Sequence, residues 1–303
     1  MDHYDVIIIG GGPAGLNAAV VLGRCLRKVL LFDTFMHRNR KSQGIHNYLT
    51  RDDILPSSFL EIARQEVKKY KVKHSKREVV NIIKVKNNLF KVLDKKGTYY
   101  FSKKLLIATG LRDILPEVEG ISEMYGKSVF HCPYCDAWEF RNKRIGIYAR
   151  NKNGTPLALS LKTWSSQVVL YTDGKRIIKK EDKEKLQKNN IPIVTAPIEK
   201  LKGRNGKLER IFFTNKESLL CDAIFFVSGY EQKCNLVKDL GCNMNDKGVV
   251  LTDKMQQSNI KGLYAAGDAT KDMHFVVVAA AEGAKAGVAI NKDFQKEEQA
   301  SLF

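Results

Sequence analysis

The sequence predicts an α/β protein, and three observations carry that expectation. A short, β-branched, wholly apolar strand runs into a turn of small residues and then a helix near the start of the chain. The same strand, turn and helix pattern recurs near residue 144, and a third small-residue strand precedes an alanine-rich helix at the end. Continuous apolar strands of this kind belong to parallel sheets buried on both faces.

The first strand is Asp5-Val6-Ile7-Ile8-Ile9, and Gly10-Gly11-Gly12-Pro13-Ala14-Gly15 follows at once. In a turn of this spacing Gly10 permits the sharp reversal, Gly12 lets the backbone approach a pyrophosphate, and Gly15 lets the next helix pack closely. The N-terminus of that helix then offers free N–H groups to phosphate, with Pro13 and Ala14 in its opening turn. Residues 16–25 read as the helix and 28–32 as the second strand, which Asp33 ends. An acid there is placed to accept hydrogen bonds from an adenosine ribose, so the context is that of a dinucleotide-binding fold.

Residues 34–53 are polar and loop-like. Arg38, Asn39, His46 and Thr50 lie in this loop and are candidates to touch a bound nucleotide. Residues 54–70 have helical periodicity, while 79–80, 89–93 and 98–101 alternate like strands of a small antiparallel sheet. A further buried strand over 105–107 ends in Ala108, Thr109 and Gly110, whose small side chains allow a flat cofactor to lie against the backbone.

Cys132-Pro133-Tyr134-Cys135 stands between the two nucleotide-type patterns. A Cys-x-x-Cys is a redox pair or half of a zinc site; zinc needs about four ligands, and Cys25, Cys221, Cys234 and Cys242 stand singly. The spacing therefore favours a redox-active disulfide over a metal site. The second nucleotide pattern places a strand at 144–148, a helix at 156–164, a strand at 168–171 and Asp173 just beyond. Its turn reads Ala149-Arg150-Asn151-Lys152-Asn153-Gly154, and Asn151 adds a side chain where a backbone should approach pyrophosphate. A helix over 183–189 and strands over 191–194, 210–214 and 222–227 follow. Gly267 and Asp268 end the strand that begins near Gly262, and a helix is expected over 274–294. Asp268 can accept from a polyol hydroxyl, and the positive end of that helix can stabilise a nearby negative charge.

With 44% hydrophobic and 28% charged residues in a chain of 303, about two soluble domains are expected. The acidic start and short apolar run at 6–9 do not fit a signal peptide or a membrane span, so a cytoplasmic location is expected. A formal net charge of +18 attracts anionic partners. The basic residues are spread along the chain without a nucleic-acid module, which leaves a solvated lysine-rich surface or an acidic protein partner.

Gly10 to Gly15, Ala108-Thr109-Gly110, Cys132-x-x-Cys135-Asp136 and Gly267-Asp268, in this order over nearly the whole chain, resemble the low-molecular-weight bacterial thioredoxin reductases. The resemblance implies two Rossmann-like dinucleotide-binding domains, the second inserted into the first. FAD would be held by 1–112 and 230–303, and 113–229 would form a pyridine-nucleotide-type domain carrying the redox pair. It extends the flavin-binding set to Val80, His274 and Phe275, and implies a homodimer acting on a thioredoxin-like protein or a small dithiol or disulfide. It also makes Cys135 the thiol nearer the flavin, Cys132 the thiol that meets substrate, and Asp136 the acid-base group. Two departures act against NADPH. The family's Gly-x-Gly-x-x-Ala turn is lost at 149–154, and its phosphate-gripping His-Arg-Arg has become Tyr171-Thr172-Asp173. Lys175 and Arg176 could restore part of that charge. The Cys-Pro-Tyr-Cys-Asp-x-Trp-Glu run and the Ala279-Ala280-Ala281-Glu282-Gly283 segment look like a branch that includes flavin-dependent dithiol oxidases, which pass electrons to oxygen. A conventional NADPH-dependent reductase and a non-enzymatic redox sensor are the alternatives.

Overall fold

The computed structural model describes residues 2–86, 89–176, 178–233, 235–270 and 273–300. The chain forms two compact units, one of Met1–Arg40, Asn47–Arg112 and Glu231–Phe303, the other of Lys41–His46 and Asp113–Tyr230. The second unit thus lies within the chain of the first.

A seven-stranded sheet organises the first unit, in the order Lys73–Ser75, Val29–Phe32, Asp2–Ile9, Tyr99–Ile107, Phe90–Asp94 and Val79–Lys84, with Leu263–Ala265 also paired to Tyr99–Ile107. Its central pairings are parallel and in register, for example Ile8 with Leu31 and with Leu106. Both faces are covered, which explains the unbroken apolar strands. Val6, Ile8 and Leu31 pack under the helices Pro13–Arg24 and Val276–Ala300, while Ile7, Ile9, Leu30 and Phe32 face Phe90, Val92 and Leu105. The two helices approach closely because Gly283 has no side chain: a Cβ there would lie 2.0 Å from the carbonyl oxygen of Ala14.

The second unit has a five-stranded parallel sheet, ordered Ile193–Val194, Val168–Tyr171, Ile145–Ala149, Ala223–Val227 and Val129–Phe130. Helices Gly154–Leu161 and Lys180–Lys188 and a three-stranded antiparallel sheet, Ile198–Arg204, Lys207–Phe213 and Ser218–Leu220, accompany it.

Several local expectations are corrected. The segments 98–101 and 105–107 are one strand, Tyr99–Ile107, so the expected small antiparallel sheet is the continuation of the main one. Lys103 and Lys104 lie within this strand, and Lys104 is buried with its ammonium 2.5 Å from Glu297 and 5.4 Å from the centre of the Phe294 ring. The last helix starts at Val276 rather than at His274, with Ala279 N donating to Phe275 O. The short strands Lys73–Ser75, Ile198–Arg204 and Ser218–Leu220 were not expected.

Candidate nucleotide and redox sites

The first glycine turn is held by its neighbours. Gly10 has φ +113°, its N–H donates to Phe32 O at 2.8 Å, and a Cβ on it would lie 2.1 Å from Ala108 O. Only glycine fits there. A Cβ on Gly15 would lie 1.8 Å from Gly10 O, which places the helix start directly over the turn. By contrast, nothing lies within 4 Å of a Cβ on Gly12, the helix N-cap, so that position faces open space. Asp33 is buried; its Oδ1 accepts from Phe35 N at 2.8 Å, while its Oδ2 has no hydrogen-bond partner. Thr109 Oγ1 is likewise buried without a partner, and Gly110 follows with φ +70°.

An open glycine turn and two unsatisfied buried oxygens, one at the end of each flanking strand, fit the pyrophosphate and hydroxyl groups of FAD. Gly12, Pro13, Ala14 and Gly15 would meet phosphate, Asp33 would accept from ribose hydroxyls, and Ala108, Thr109 and Gly110 would line the cofactor.

Arg38 and Asp268, separate candidates in the sequence, form an ion pair at 2.9 Å. Asp268 lies in the short turn Gly267–Ala269, which the buried Glu282 secures by accepting from Gly267 N at 2.8 Å and Thr270 Oγ1 at 2.9 Å. Glu282 was not singled out in the sequence. Asn39 is half-buried, whereas Thr50 and Val80 are exposed. His274 and Phe275 are half-buried just before the last helix. His46 belongs to the second unit, where its Nε2 is 3.7 Å from Glu139.

In the second unit Cys132 and Cys135 form a disulfide, with Cys132 capping the one-turn helix Pro133–Asp136. Tyr134 and Trp138 are 65% and 63% exposed, so the disulfide stands among aromatic rings open to solvent. Tyr134 meets Trp164 edge-on at 5.5 Å, and Arg141 lies over Trp138 at 4.4 Å. Burial, with the nearby Glu139 carboxylate, pushes Asp136 up to about 7. Among the described residues no group of three or more His, Cys, Asp or Glu is placed to hold a metal ion. Cys25, Cys221 and Cys242 are free thiols, and Cys234 lies outside the described residues.

The second glycine-type turn is filled by its own side chains. Asn151 Nδ2 donates to Val227 O at 3.1 Å, and its Oδ1 accepts from Asn153 N at 3.0 Å. Asp173 Oδ2 accepts from Tyr148 OH at 2.8 Å and Oδ1 from Ile198 N at 2.9 Å. Tyr171 and Thr172 are buried, and Tyr171 packs on Phe213. The positions that would grip a 2′-phosphate therefore hold core side chains and an occupied carboxylate. Lys175 and Arg176 are exposed.

A family model described as pyridine nucleotide-disulphide oxidoreductase matches residues 4–283. The chain belongs to this family. A probable thioredoxin reductase of Arthroderma benhamiae is 37% identical over 178 residues, which are 57% of this chain and 44% of that protein. The chain thus matches less than half the length of that relative. The thioredoxin reductase tcpT of Claviceps purpurea is 28% identical over 277 residues, covering 87% of this chain and 86% of its own. The crystal structure of Bacillus anthracis TrxB, named for thioredoxin reductase, superposes with a TM-score of 0.93 at 35% identity, covering 97% of this chain and 99% of that one. This family member therefore has the two-domain Rossmann architecture of thioredoxin reductase-like, flavin-dependent oxidoreductases.

Proposed function

We propose that the protein is an FAD-dependent thiol-disulfide oxidoreductase that oxidises a small dithiol and works without ordinary NADPH binding. The observation that carries this reading is the second turn, where Asn151 bridges to Val227 and Asp173 is committed to Tyr148 and Ile198. Losing a charge-assisted phosphate contact costs roughly 1.5–3 kcal/mol, or about tenfold to a few hundredfold in affinity, before repulsion by Asp173 is added. A dithiol meets neither obstacle. One substrate thiolate attacks the sulfur of Cys132, the Cys132–Cys135 bond breaks, and Cys135 leaves as the thiolate. The second substrate thiolate attacks the substrate sulfur of the mixed disulfide, releasing a cyclic or linear disulfide and reduced Cys132. Asp136, which titrates near neutrality, exchanges the proton at Cys135. FAD, when bound, supplies the two-electron acceptor that returns the pair to the disulfide, with oxygen as final acceptor and hydrogen peroxide as product. The resemblance supports a homodimer, and the acidic start with its short apolar run supports a cytoplasmic location.

The relatives named thioredoxin reductase favour a second reading, an NADPH-dependent reductase of a thioredoxin-like protein. Anaerobic mixing separates the two. Dithiothreitol should bleach the flavin absorbance faster than NADPH or NADH at equal, sub-millimolar concentration. Rapid, saturable bleaching by micromolar NADPH, coupled to reduction of a thioredoxin, would establish the second reading instead.

A further inference from the structure

Eight buried side-chain polar atoms among the described residues have no hydrogen-bond partner, and four of them belong to residues grouped around Asp33 and Phe35. They are Asp33 Oδ2, His37 Nε2, His74 Nε2 and Arg64 Nη1. The four residues come from different segments: Asp33 ends the strand Val29–Phe32, His37 lies in the following loop, His74 lies in Lys73–Ser75, and Arg64 lies in the helix Pro56–Lys68. His37 Nε2 is 3.5 Å and His74 Nε2 4.0 Å from Asp33 Oδ2. Phe35 joins them, its ring 5.6 Å from that of His74 and 6.4 Å from that of His37, with the Arg64 guanidinium over it at 4.8 Å. Leaving buried polar groups unsatisfied is costly, so a cluster of four, assembled from four segments, points to a ligand.

The donor set defines that ligand. A carboxylate oxygen only accepts, a guanidinium nitrogen only donates, and a neutral imidazole nitrogen does either. A vicinal diol matches this mixture, because each hydroxyl donates once and also accepts. A phosphate would face the Asp33 carboxylate. We propose that His37, His74 and Arg64 complete, with Asp33, a vicinal-diol site for the adenosine ribose, and that this site lets go when the imidazoles take up protons. The identity of the diol rests on the FAD reading above.

The pH dependence follows from what surrounds the imidazoles. Burial, the largest cause, holds both below the ordinary histidine value; Asp33 opposes it, and Lys233, Arg64 and Arg40 assist at His37, as Arg64, Lys76 and Lys68 do at His74. Both rings are therefore neutral at pH 7. A protonated ring can only donate, and the carboxylate oxygen 3.5 Å from His37 Nε2 and 4.0 Å from His74 Nε2 is the Asp33 oxygen that the ribose needs. Protons thus favour the empty site, and affinity falls as pH drops through the lowered values of the two imidazoles, which lie below about 6.5.

Titration of flavin-free protein with FAD, followed by flavin fluorescence from pH 4.5 to 7.5, tests this. The wild-type dissociation constant should rise at least about tenfold toward the acid end, and His37→Gln with His74→Gln should flatten it to within about twofold. Each single variant should lose part of the slope, which keeps the test decisive if the double variant does not fold. FMN, which lacks the adenosine ribose, should bind without this slope. A pH-independent wild type, or a double variant with the wild-type slope, overturns the proposal while leaving FAD binding intact. Absence of FAD binding at every pH overturns the flavin reading itself.

Discussion

Asp136 has no hydrogen bond or ion pair among the described residues, yet its carboxyl is pushed up to about 7 by burial and by Glu139. Near neutral pH it is both a usable acid and a usable base, which suits a group next to a cysteine that alternates between disulfide and thiolate. Asp136→Asn should slow dithiol-dependent flavin reduction at least about tenfold and remove an inflection near pH 7, with FAD content unchanged. Wild-type rates in the variant would reduce Asp136 to a structural residue of its short helix. Stability gives an independent reading. The folded state holds the proton more tightly than the unfolded chain, so ionisation costs stability as pH rises from the usual carboxylate range through about 7. Removing the charge should stabilise the protein at pH 8 by about 1–2 kcal/mol, a figure discounted for partial exposure, and leave it unchanged near pH 3.

At the scale of elements, the glycines around the first turn and its helices divide into two physical kinds. Gly15 and Gly283 are packing glycines, since a Cβ on either would lie within 2.0 Å of a backbone oxygen, whereas Gly12 faces open space. Gly283→Ala should push the helices Pro13–Arg24 and Val276–Ala300 apart and cost about 2 kcal/mol or more, seen as a lowered Tm. Gly12→Val should change stability by less than about 1 kcal/mol yet lose most of its flavin, because the added side chain projects where a pyrophosphate would lie. Full flavin content in the purified Gly12→Val protein would place the cofactor elsewhere. The turn was legible in the sequence because its residues are contiguous. The strand Ile198–Arg204 was not, because its register shifts between Ile198 and Lys200 and again between Lys202 and Gly203, breaking the two-residue alternation that marks a strand. The His37, His74 and Arg64 cluster was equally hidden, since Arg64 and His74 come from parts of the sequence distant from Asp33 and His37. Asp173 is legible in the sequence as an acid at a phosphate-gripping position, and the structure adds that its carboxylate anchors Tyr148 and Ile198.

For the whole molecule, the formal net charge of +18 bears on what reaches the disulfide. Such a charge draws an acidic protein partner over distances up to about the Debye length, which is long at low salt, and this attraction fades as salt rises. A neutral dithiol gains nothing from the field. If the exposed surroundings of Cys132 and Cys135 receive a small dithiol, the second-order rate with dithiothreitol should change by less than about twofold between roughly 50 and 500 mM salt at constant pH. A docking protein of thioredoxin size and acidic charge should lose at least about tenfold in its second-order rate over the same range. Comparing both substrates on one enzyme preparation decides whether the basic surface serves catalysis. An acidic thioredoxin that reacts faster than dithiothreitol at low salt and loses that advantage at high salt would make the surface a docking device and give a protein substrate to the Cys132–Cys135 pair. Two salt-independent rates would leave the lysines and arginines as a solvated coat, and would leave substrate choice to Tyr134, Trp138 and the disulfide they flank.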